Sequence, residues 1–145
     1  MRLTSFTDFG LRALMRLAGD PERVFTTDEI ARAFGISRNH LTKVIRELAA
    51  AGIVATHRGA GGGFRLARPA DDITLGEIVR TLEARSALVE CFRPDGGACV
   101  LTPECRLKGK LEAAREAFLR ELDRTALAEC AYPAPGKTPP RRAAA

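Results

Sequence analysis

Residues 26–48 read TTDEIARAFGISRNHLTKVIREL, and this stretch decides the fold. Its start, Thr26-Thr27-Asp28-Glu29, has the Thr-x-x-Glu form of a capping box and predicts a helix that ends at Gly35. Only two residues later Ser37 can cap a second helix. The apolar stripe predicted for that helix consists of Leu41, Val44, Ile45 and Leu48. Two helices joined by a tight glycine turn are typical of a helix-turn-helix.

The flanking segments extend this motif to a winged helix-turn-helix. A helix from about Thr7 to Ala18 is predicted from apolar residues at three- and four-residue spacing. Residues 53–56 and 64–66 read as two short strands, and the glycines between them permit a flexible hairpin tip, the wing. A fourth helix capped by Thr74 follows. We therefore predict a mainly α fold in which residues 1–85 form a DNA-binding domain with a small β-hairpin wing.

The sequence of the C-terminal half predicts a loop, a long helix and a tail. Residues 86–102 show no period and are expected to form an irregular loop. Thr102-Pro103 is typical of an N-cap followed by a proline, which predicts a helix from there to about Glu129, roughly 40 Å long at 1.5 Å per residue. Its single apolar stripe consists of Leu107, Leu111, Ala114, Phe118 and Leu122. This stripe favours a homodimer through residues 103–130, with packing inside one chain as the alternative, and residues 131–145 are expected to be a disordered tail.

Composition and charge limit the possible functions. A chain of 145 residues, 46% hydrophobic and 28% charged, has the size and balance of a small globular protein and leaves no room for a large enzyme. It has no signal peptide or membrane-spanning run, so we expect a cytoplasmic protein without a membrane partner. Residues 1–70 carry 11 Lys/Arg against 6 Asp/Glu, whereas residues 71–145 carry 12 of each. This asymmetry favours a polyanionic partner for the first half, with a plain solvated surface as the alternative.

The predicted second helix of the motif carries side chains suited to DNA. In a helix-turn-helix this helix lies in the major groove with its N-terminal residues at base edges. The candidate contacts on it are Arg38, Asn39, Thr42 and Lys43. Arginine suits guanine and asparagine suits adenine through paired hydrogen bonds, whereas Arg58 and Arg65 on the wing are expected to reach phosphates or the minor groove. The predicted partner is double-stranded DNA with a palindromic operator, and an ordinary solvated helix face is the alternative.

Three of the four cysteines lie close together in the predicted loop. Cys91, Cys99 and Cys105 fall within fifteen residues, and Cys130 stands apart. In a reducing cytoplasm such a group is more typical of a metal site than of disulfides. Thiolates select iron–sulfur clusters, zinc or copper(I), but no Cys-x2-Cys pair or suitably spaced histidine marks a zinc site. Zinc and three inert cysteines remain the alternatives to an iron–sulfur cluster.

Four stretches of the sequence form a recognisable combination: residues 3–14, residues 37–40, the wing from Arg58-Gly59 to Gly62-Gly63, and residues 101–108. Together they resemble the NsrR family of nitric-oxide-sensing repressors, part of a wider group that includes IscR and RirA. The resemblance covers about residues 1–130. It implies a winged-helix homodimer joined through a long C-terminal helix. It also implies a 4Fe-4S cluster on Cys91, Cys99 and Cys105, with a 2Fe-2S form expected after exposure to air.

The same resemblance implies an oxygen ligand donated by the other subunit, and the residue at that position is Asp8. A carboxylate is a harder and weaker iron ligand than a thiolate, so it would leave one iron open to a small molecule. The alternative for Asp8 is a local role, at a helix N-terminus or in a pair with Arg12.

Two positions depart from the patterns of this group. IscR has a histidine ligand three residues after its last cluster cysteine, whereas this chain has Lys108, which is protonated at neutral pH. Seven residues separate Cys91 from Cys99, where the NsrR family usually has five, and Gly96-Gly97 is expected to form the insertion. The longer loop can still close at little entropic cost. Cys130 matches no ligand of the family.

The predicted function is a transcriptional repressor whose cluster senses nitric oxide, so that attack on the cluster releases DNA and derepresses nitric oxide detoxification genes. The alternative is a regulator that reports iron or cluster supply, as RirA and IscR do. An enzyme or electron carrier is a third class, but the sequence shows no signature of a substrate pocket and the helix-turn-helix would be left unexplained. We therefore expect no enzymatic activity.

Overall fold

The computed structural model describes residues 2–102 and 104–133, in which five α-helices and one two-stranded hairpin follow one another. The elements are α1 Ser5–Ala18, α2 Thr27–Phe34, α3 Arg38–Ala50, β1 Val54–His57, β2 Gly63–Leu66, α4 Leu75–Leu82 and α5 Arg106–Leu122. Short 3-10 turns cover Ala70–Asp72, Glu90–Phe92 and Leu127–Cys130. The predicted winged helix-turn-helix with a long C-terminal helix is confirmed.

Local signals at the helix ends account for most of these boundaries. Thr26 caps α2 by accepting a hydrogen bond from the Glu29 amide at 3.2 Å, and Gly35 ends it with φ +63°. Thr74 caps α4 in the same way through the Glu77 amide at 3.1 Å. Ser37 precedes α3, but its side chain makes no capping hydrogen bond, so that part of the prediction is wrong.

The core lies between α1, α2, α3, the hairpin and α4. The predicted stripe on α3 is buried, with Leu41, Val44 and Leu48 fully inaccessible to solvent. Burial of each such side chain stabilises the fold by about 1.5 to 3 kcal/mol. Phe25 exchanges two backbone hydrogen bonds with Phe64 of β2, at 2.9 and 2.8 Å, and both rings are buried. The hairpin is thereby attached to the segment between α1 and α2, so the wing has a fixed base.

The antiparallel pairing of the hairpin runs from Val54 opposite Leu66 to His57 opposite Gly63. Its connection spans residues 58–62, where Gly59 and Gly61 have φ of +92° and +73°. Glycine adopts such angles without a Cβ clash, which explains the glycine-rich composition of this turn.

Helix α5 is shorter than predicted at both ends. It begins at Arg106 instead of residue 103, the position after the predicted cap Thr102, and ends at Leu122 instead of near Glu129. Its 17 residues extend for about 25 Å at 1.5 Å per residue. Pro103, part of the predicted cap, lies outside the described residues.

The end of α5 is set by tertiary contacts with α4 and the segment before it. Arg80 holds both carboxylate oxygens of Asp123 at 2.6 and 2.7 Å, and the hydrogen bond from this arginine lowers the pKa of the Asp123 carboxyl. Just beyond, the Leu75 amide donates to the Thr125 carbonyl at 3.0 Å and the Leu127 amide to the Ile73 carbonyl at 2.8 Å. Because these groups bond to the 73–75 segment, the helix cannot continue.

The first residues of the predicted tail pack against the domain. The Tyr132 amide donates to the Met15 carbonyl at 2.8 Å, and its ring lies 6.4 Å from that of Phe34. The prediction of a disordered tail is therefore wrong for residues 131–133, and residues 134–145 lie outside the described residues.

No helix in the described part of the chain is long and apolar enough to cross a membrane.

We predict that Gly76→Ala destabilises the fold by about 1 to 3 kcal/mol, the usual cost of an overpacked contact. A Cβ at Gly76 would lie 2.8 Å from the Leu119 carbonyl oxygen and would overlap the Asp123 carboxylate. Gly109→Ala is the matched control, because its Cβ would meet open space on α5 and should stabilise that helix by up to about 1 kcal/mol. Urea unfolding of both variants measures the difference, and equal midpoints for the two would contradict the packing between α4 and α5.

Candidate DNA interface and cysteine loop

The exposed face of α3 carries the four predicted base-contacting residues. Arg38, Asn39, Thr42 and Lys43 are all exposed, whereas the opposite face of the helix is buried. The Gly35 turn fixes where α3 begins relative to α2. The fold therefore presents these side chains together on one surface.

Two of these side chains have contacts within the chain. Arg38 Nε lies 3.1 Å from the Asp28 carboxylate, with the Arg38 side chain 68% exposed. An exposed pair of this kind contributes about 0 to 1 kcal/mol, so it is easily exchanged for a base or phosphate. The Thr42 hydroxyl donates to the Arg38 carbonyl at 2.9 Å, which leaves its oxygen lone pairs and methyl group for other contacts.

The two wing arginines lie at different places on the hairpin. Arg58 is exposed and directly follows β1, in the turn. Arg65 is half-buried on β2, opposite Ala55. Only Arg58 therefore lies in the turn at the tip of the hairpin.

Residues outside the predicted site also lie on or next to α3. Arg46 is exposed one turn after Thr42, and the four-residue spacing of 38, 42 and 46 was the signal that could have identified it. The His40 ring, exposed on α3, stacks on Phe9 of α1, with ring centroids 6.3 Å apart. This contact joins the recognition helix to α1 and could not be predicted from spacing.

The chain between Cys91 and Cys99 folds into a compact turn. The Ala98 amide donates to the Glu90 carboxylate at 3.1 Å, and the Gly97 amide donates to Asp95 at 3.0 Å. Gly96 and Gly97 have φ of +77° and +62°, and a Cβ at Gly97 would lie 2.6 Å from the Glu90 carbonyl oxygen. The residues that precede Cys91 and Cys99 are thus joined side by side in spite of the seven-residue gap.

The third cysteine lies at the start of α5. Cys105 occupies the N-cap position of α5 and lines an open pocket of about 510 Å³ together with Val100, Leu101 and Thr102. All four cysteines are half-buried and none forms a disulfide. Among the described residues, however, no three His, Cys, Asp or Glu side chains are close enough together to hold a metal ion. One chain therefore supplies unpaired thiols of the right chemistry for a cluster but does not assemble the predicted ligand set.

Asp8 lies in the first turn of α1. Its carboxylate is 2.8 Å from Arg12 Nη2 and 3.2 Å from Arg12 Nε, one helical turn later. Within one chain Asp8 therefore forms the helical ion pair with Arg12, which is the alternative to a role as cluster ligand. Both side chains are about half exposed, so the pair is weak and the carboxylate is accessible.

The start of α1 is held by Glu83, at the end of α4. The Glu83 carboxylate accepts hydrogen bonds from the Thr4 amide at 2.7 Å, the Thr4 hydroxyl at 2.9 Å and the Thr7 hydroxyl at 2.5 Å. Burial by itself would raise the pKa of Glu83, but these hydrogen bonds outweigh it and lower the pKa below its ordinary value. The charged carboxylate therefore joins the start of α1 to the chain just before the cysteine loop.

Comparison with known proteins gives one family and several similar structures. The model of the Rrf2 family, described as an iron-dependent transcriptional regulator, matches residues 3–132. The structure of IscR from T. potens is similar with a TM-score of 0.68 and 28% identity, covering 89% of this chain and 85% of that one. The structure of CymR, the global cysteine regulator of B. subtilis, is similar with a TM-score of 0.67 and 30% identity, covering 88% of this chain and 93% of that one. The oxidized form of CymR from Staphylococcus aureus is similar with a TM-score of 0.67 and 26% identity, covering 91% of this chain and 97% of that one.

We predict that Arg38→Ala weakens binding to operator DNA by about 1 to 3 kcal/mol, because a bidentate contact to a base is lost. Unrelated DNA of the same length serves as the reference, because the loss of a base-specific contact should weaken binding to it less than binding to the operator. Fluorescence anisotropy with both duplexes measures the two losses. An equal loss on both would show that Arg38 contacts phosphate and does not read a base.

Proposed function

The chain belongs to the Rrf2 family of transcriptional regulators, and we propose that within this family it is a homodimeric repressor that holds an iron–sulfur cluster and releases its operator in response to nitric oxide. As a member of that family it is a DNA-binding regulator and not an enzyme. The proposed partner is double-stranded DNA with a palindromic operator, in the cytoplasm.

The observation that carries the cluster proposal is the turn that joins the neighbours of Cys91 and Cys99. It brings two thiol-bearing segments together, and Cys105 adds a third at the start of α5. Unpaired backbone N–H groups at the start of a helix favour negative charge, which suits a thiolate ligand at that position. The iron-dependent description of the family supports iron over zinc. When bound, a 4Fe-4S cluster supplies iron that reacts with nitric oxide.

The position of the proposed fourth ligand, Asp8 of the other subunit, supports a link to the recognition helix α3. The next two residues of α1 contact α3: Phe9 stacks on His40, and a Cβ at Gly10 would lie 3.2 Å from Val44 and would overlap Leu82 of α4. A change in what Asp8 binds would therefore act on α3 through these close-packed contacts. In a dimer, the shift would alter the separation of the two recognition helices, which must match two half-sites about 34 Å apart.

The uncovered surface of α5 supports a homodimer. Leu119 is the one buried residue among those of α5, and Leu107 is 62% exposed. The preceding loop exposes Val100 and Leu101 at 92% and 65%. A second copy of this helix would cover the stripe predicted from the sequence.

The alternative regulator of iron or cluster supply is favoured by the similarity to IscR and by the iron-dependent description of the family. It differs from the proposed function in the signal and not in the fold or the DNA-binding surface. An experiment that separates the two must therefore vary the signal.

We predict that Leu111→Asp shifts the protein toward monomer, because it places an unpaired charge in the α5 stripe. Ala113→Asp is the matched control: it introduces the same charge at an exposed position on the opposite side of the helix. Light scattering after size exclusion, at micromolar protein, measures both masses. A parent protein that is already monomeric would contradict the homodimer.

We predict that alanine at Cys91, Cys99 or Cys105 abolishes cluster retention, because each removes one thiolate ligand. Cys130→Ala, which removes a thiol outside the proposed set, should retain the cluster. Asp8→Ala should retain a cluster with an altered absorbance spectrum. Iron and sulfide analysis after anaerobic purification checks each variant, and cluster loss on Cys130→Ala alone would disprove the ligand assignment.

The signal is tested by gel-shift binding of the anaerobic holoprotein, with nitric oxide in one arm and an iron chelator in the other. A nitric oxide sensor should release DNA at a few nitric oxide molecules per cluster and only slowly under the chelator. Prompt release by the chelator, with the complex intact at stoichiometric nitric oxide, would replace the proposal by the iron-supply alternative.

A further inference from the structure

An open groove lies beside the recognition helix, between the start of α1, the C-terminal half of α3 and the end of α4. Its volume is about 740 Å³, and its lining includes Phe6, Lys43, Arg46 and Arg85. Lys43 and Arg46 belong to α3, whereas Arg85 belongs to the segment between α4 and the cysteine loop. The fold thus brings cations from two distant parts of the chain to one surface.

The charge of this groove is positive. Its lining has the three cations and a single carboxylate, that of Glu47, whose Oε1 lies 3.3 Å from Arg85 Nη2. Within residues 2–102 and 104–133, Lys43 and Arg46 form no ion pair. The Arg85 side chain is 88% exposed, so its pair with Glu47 is weak and can be exchanged for another anion at little cost.

We propose that Arg46 and Arg85 extend the DNA interface beyond the predicted base-contacting residues by binding backbone phosphates beside the half-site. The groove is continuous with that interface because Lys43 belongs to both. A compact anionic ligand fits less well, since such a ligand needs convergent buried polar groups and the described polar side chains of this lining are exposed or half-buried. Long exposed cations on an open surface are typical of phosphate contacts.

The position of Arg85 also links this phosphate contact to the cysteine loop, an inference that rests on the proposed function. Arg85 precedes Cys91 by six residues, after the helix whose end holds α1 through Glu83. A phosphate bound by Arg85 would therefore be held by the same segment that leads into the cysteine loop. DNA would contact both the recognition helix and the chain that carries the sensor.

The proposal is tested by the salt dependence of DNA binding by the anaerobic holoprotein. Arg46→Gln and Arg85→Gln should each reduce the magnitude of the slope of log K against log salt by about 0.9, the value for one phosphate contact. The loss of affinity relative to the parent should then shrink by about 3.5-fold between 50 and 200 mM salt, equally on operator and unrelated DNA. Glu47→Gln should strengthen binding to both duplexes, because it removes the one carboxylate in the groove.

Arg120→Gln is the matched control, since it removes the same charge from an exposed position on α5. Slopes for Arg46→Gln and Arg85→Gln equal to that of Arg120→Gln would overturn the proposal, as would losses confined to the operator. A parent protein that does not bind operator DNA would instead disprove the proposed function, so the two failures are distinguishable.

Discussion

The close contact of α1 with α3 and α4 is the constraint on which the rest of the structure depends. At Gly10 the helices approach so closely that a single methyl group would overlap Leu82 and press on Val44. Around this point the start of α1 is bonded to Glu83, and the backbone near its end is bonded to Tyr132. Interiors packed to this density transmit displacement because no empty space absorbs it. The recognition helix is therefore positioned by a helix that also carries Asp8.

A second constraint fixes the position of α5 in the C-terminal part of the chain. The bidentate contact between Arg80 and Asp123 fixes the end of α5 against α4, while the start of the helix projects with Leu107 exposed. The cysteine loop connects the end of α4 to the start of α5, and its hydrogen bonds through Glu90 and Asp95 lie within the loop itself. The proposed sensor and the proposed dimer surface thus lie on the part of the chain with the least support from its own core, where a second subunit could contact both.

Much of the fold could be predicted from local signals, because Thr26, Gly35 and Thr74 act within one helical turn of the boundary they set. The end of α5 could not, since it depends on Arg80 and on pairing with the 73–75 segment, far away in sequence. Exposure of the α3 side chains follows from helical periodicity, whereas the association of Arg85 with that helix depends on tertiary packing. The proposed cysteine ligand set would need a cofactor and a second subunit to assemble it, and the described residues of one chain do not display it.

The hydrogen bond from the Thr4 amide to Glu83 has a practical consequence for handling the protein. An affinity tag joined ahead of Arg2 would emerge within two residues of that bond and close to Asp8, where its bulk would compete with the proposed second subunit and with DNA. At the other end of the described chain, the Tyr132 amide is bonded to Met15, toward the opposite end of a helix about 20 Å long. A purification handle attached beyond residue 133 would follow the part of the chain that lies near Met15 and not the part that lies near Asp8.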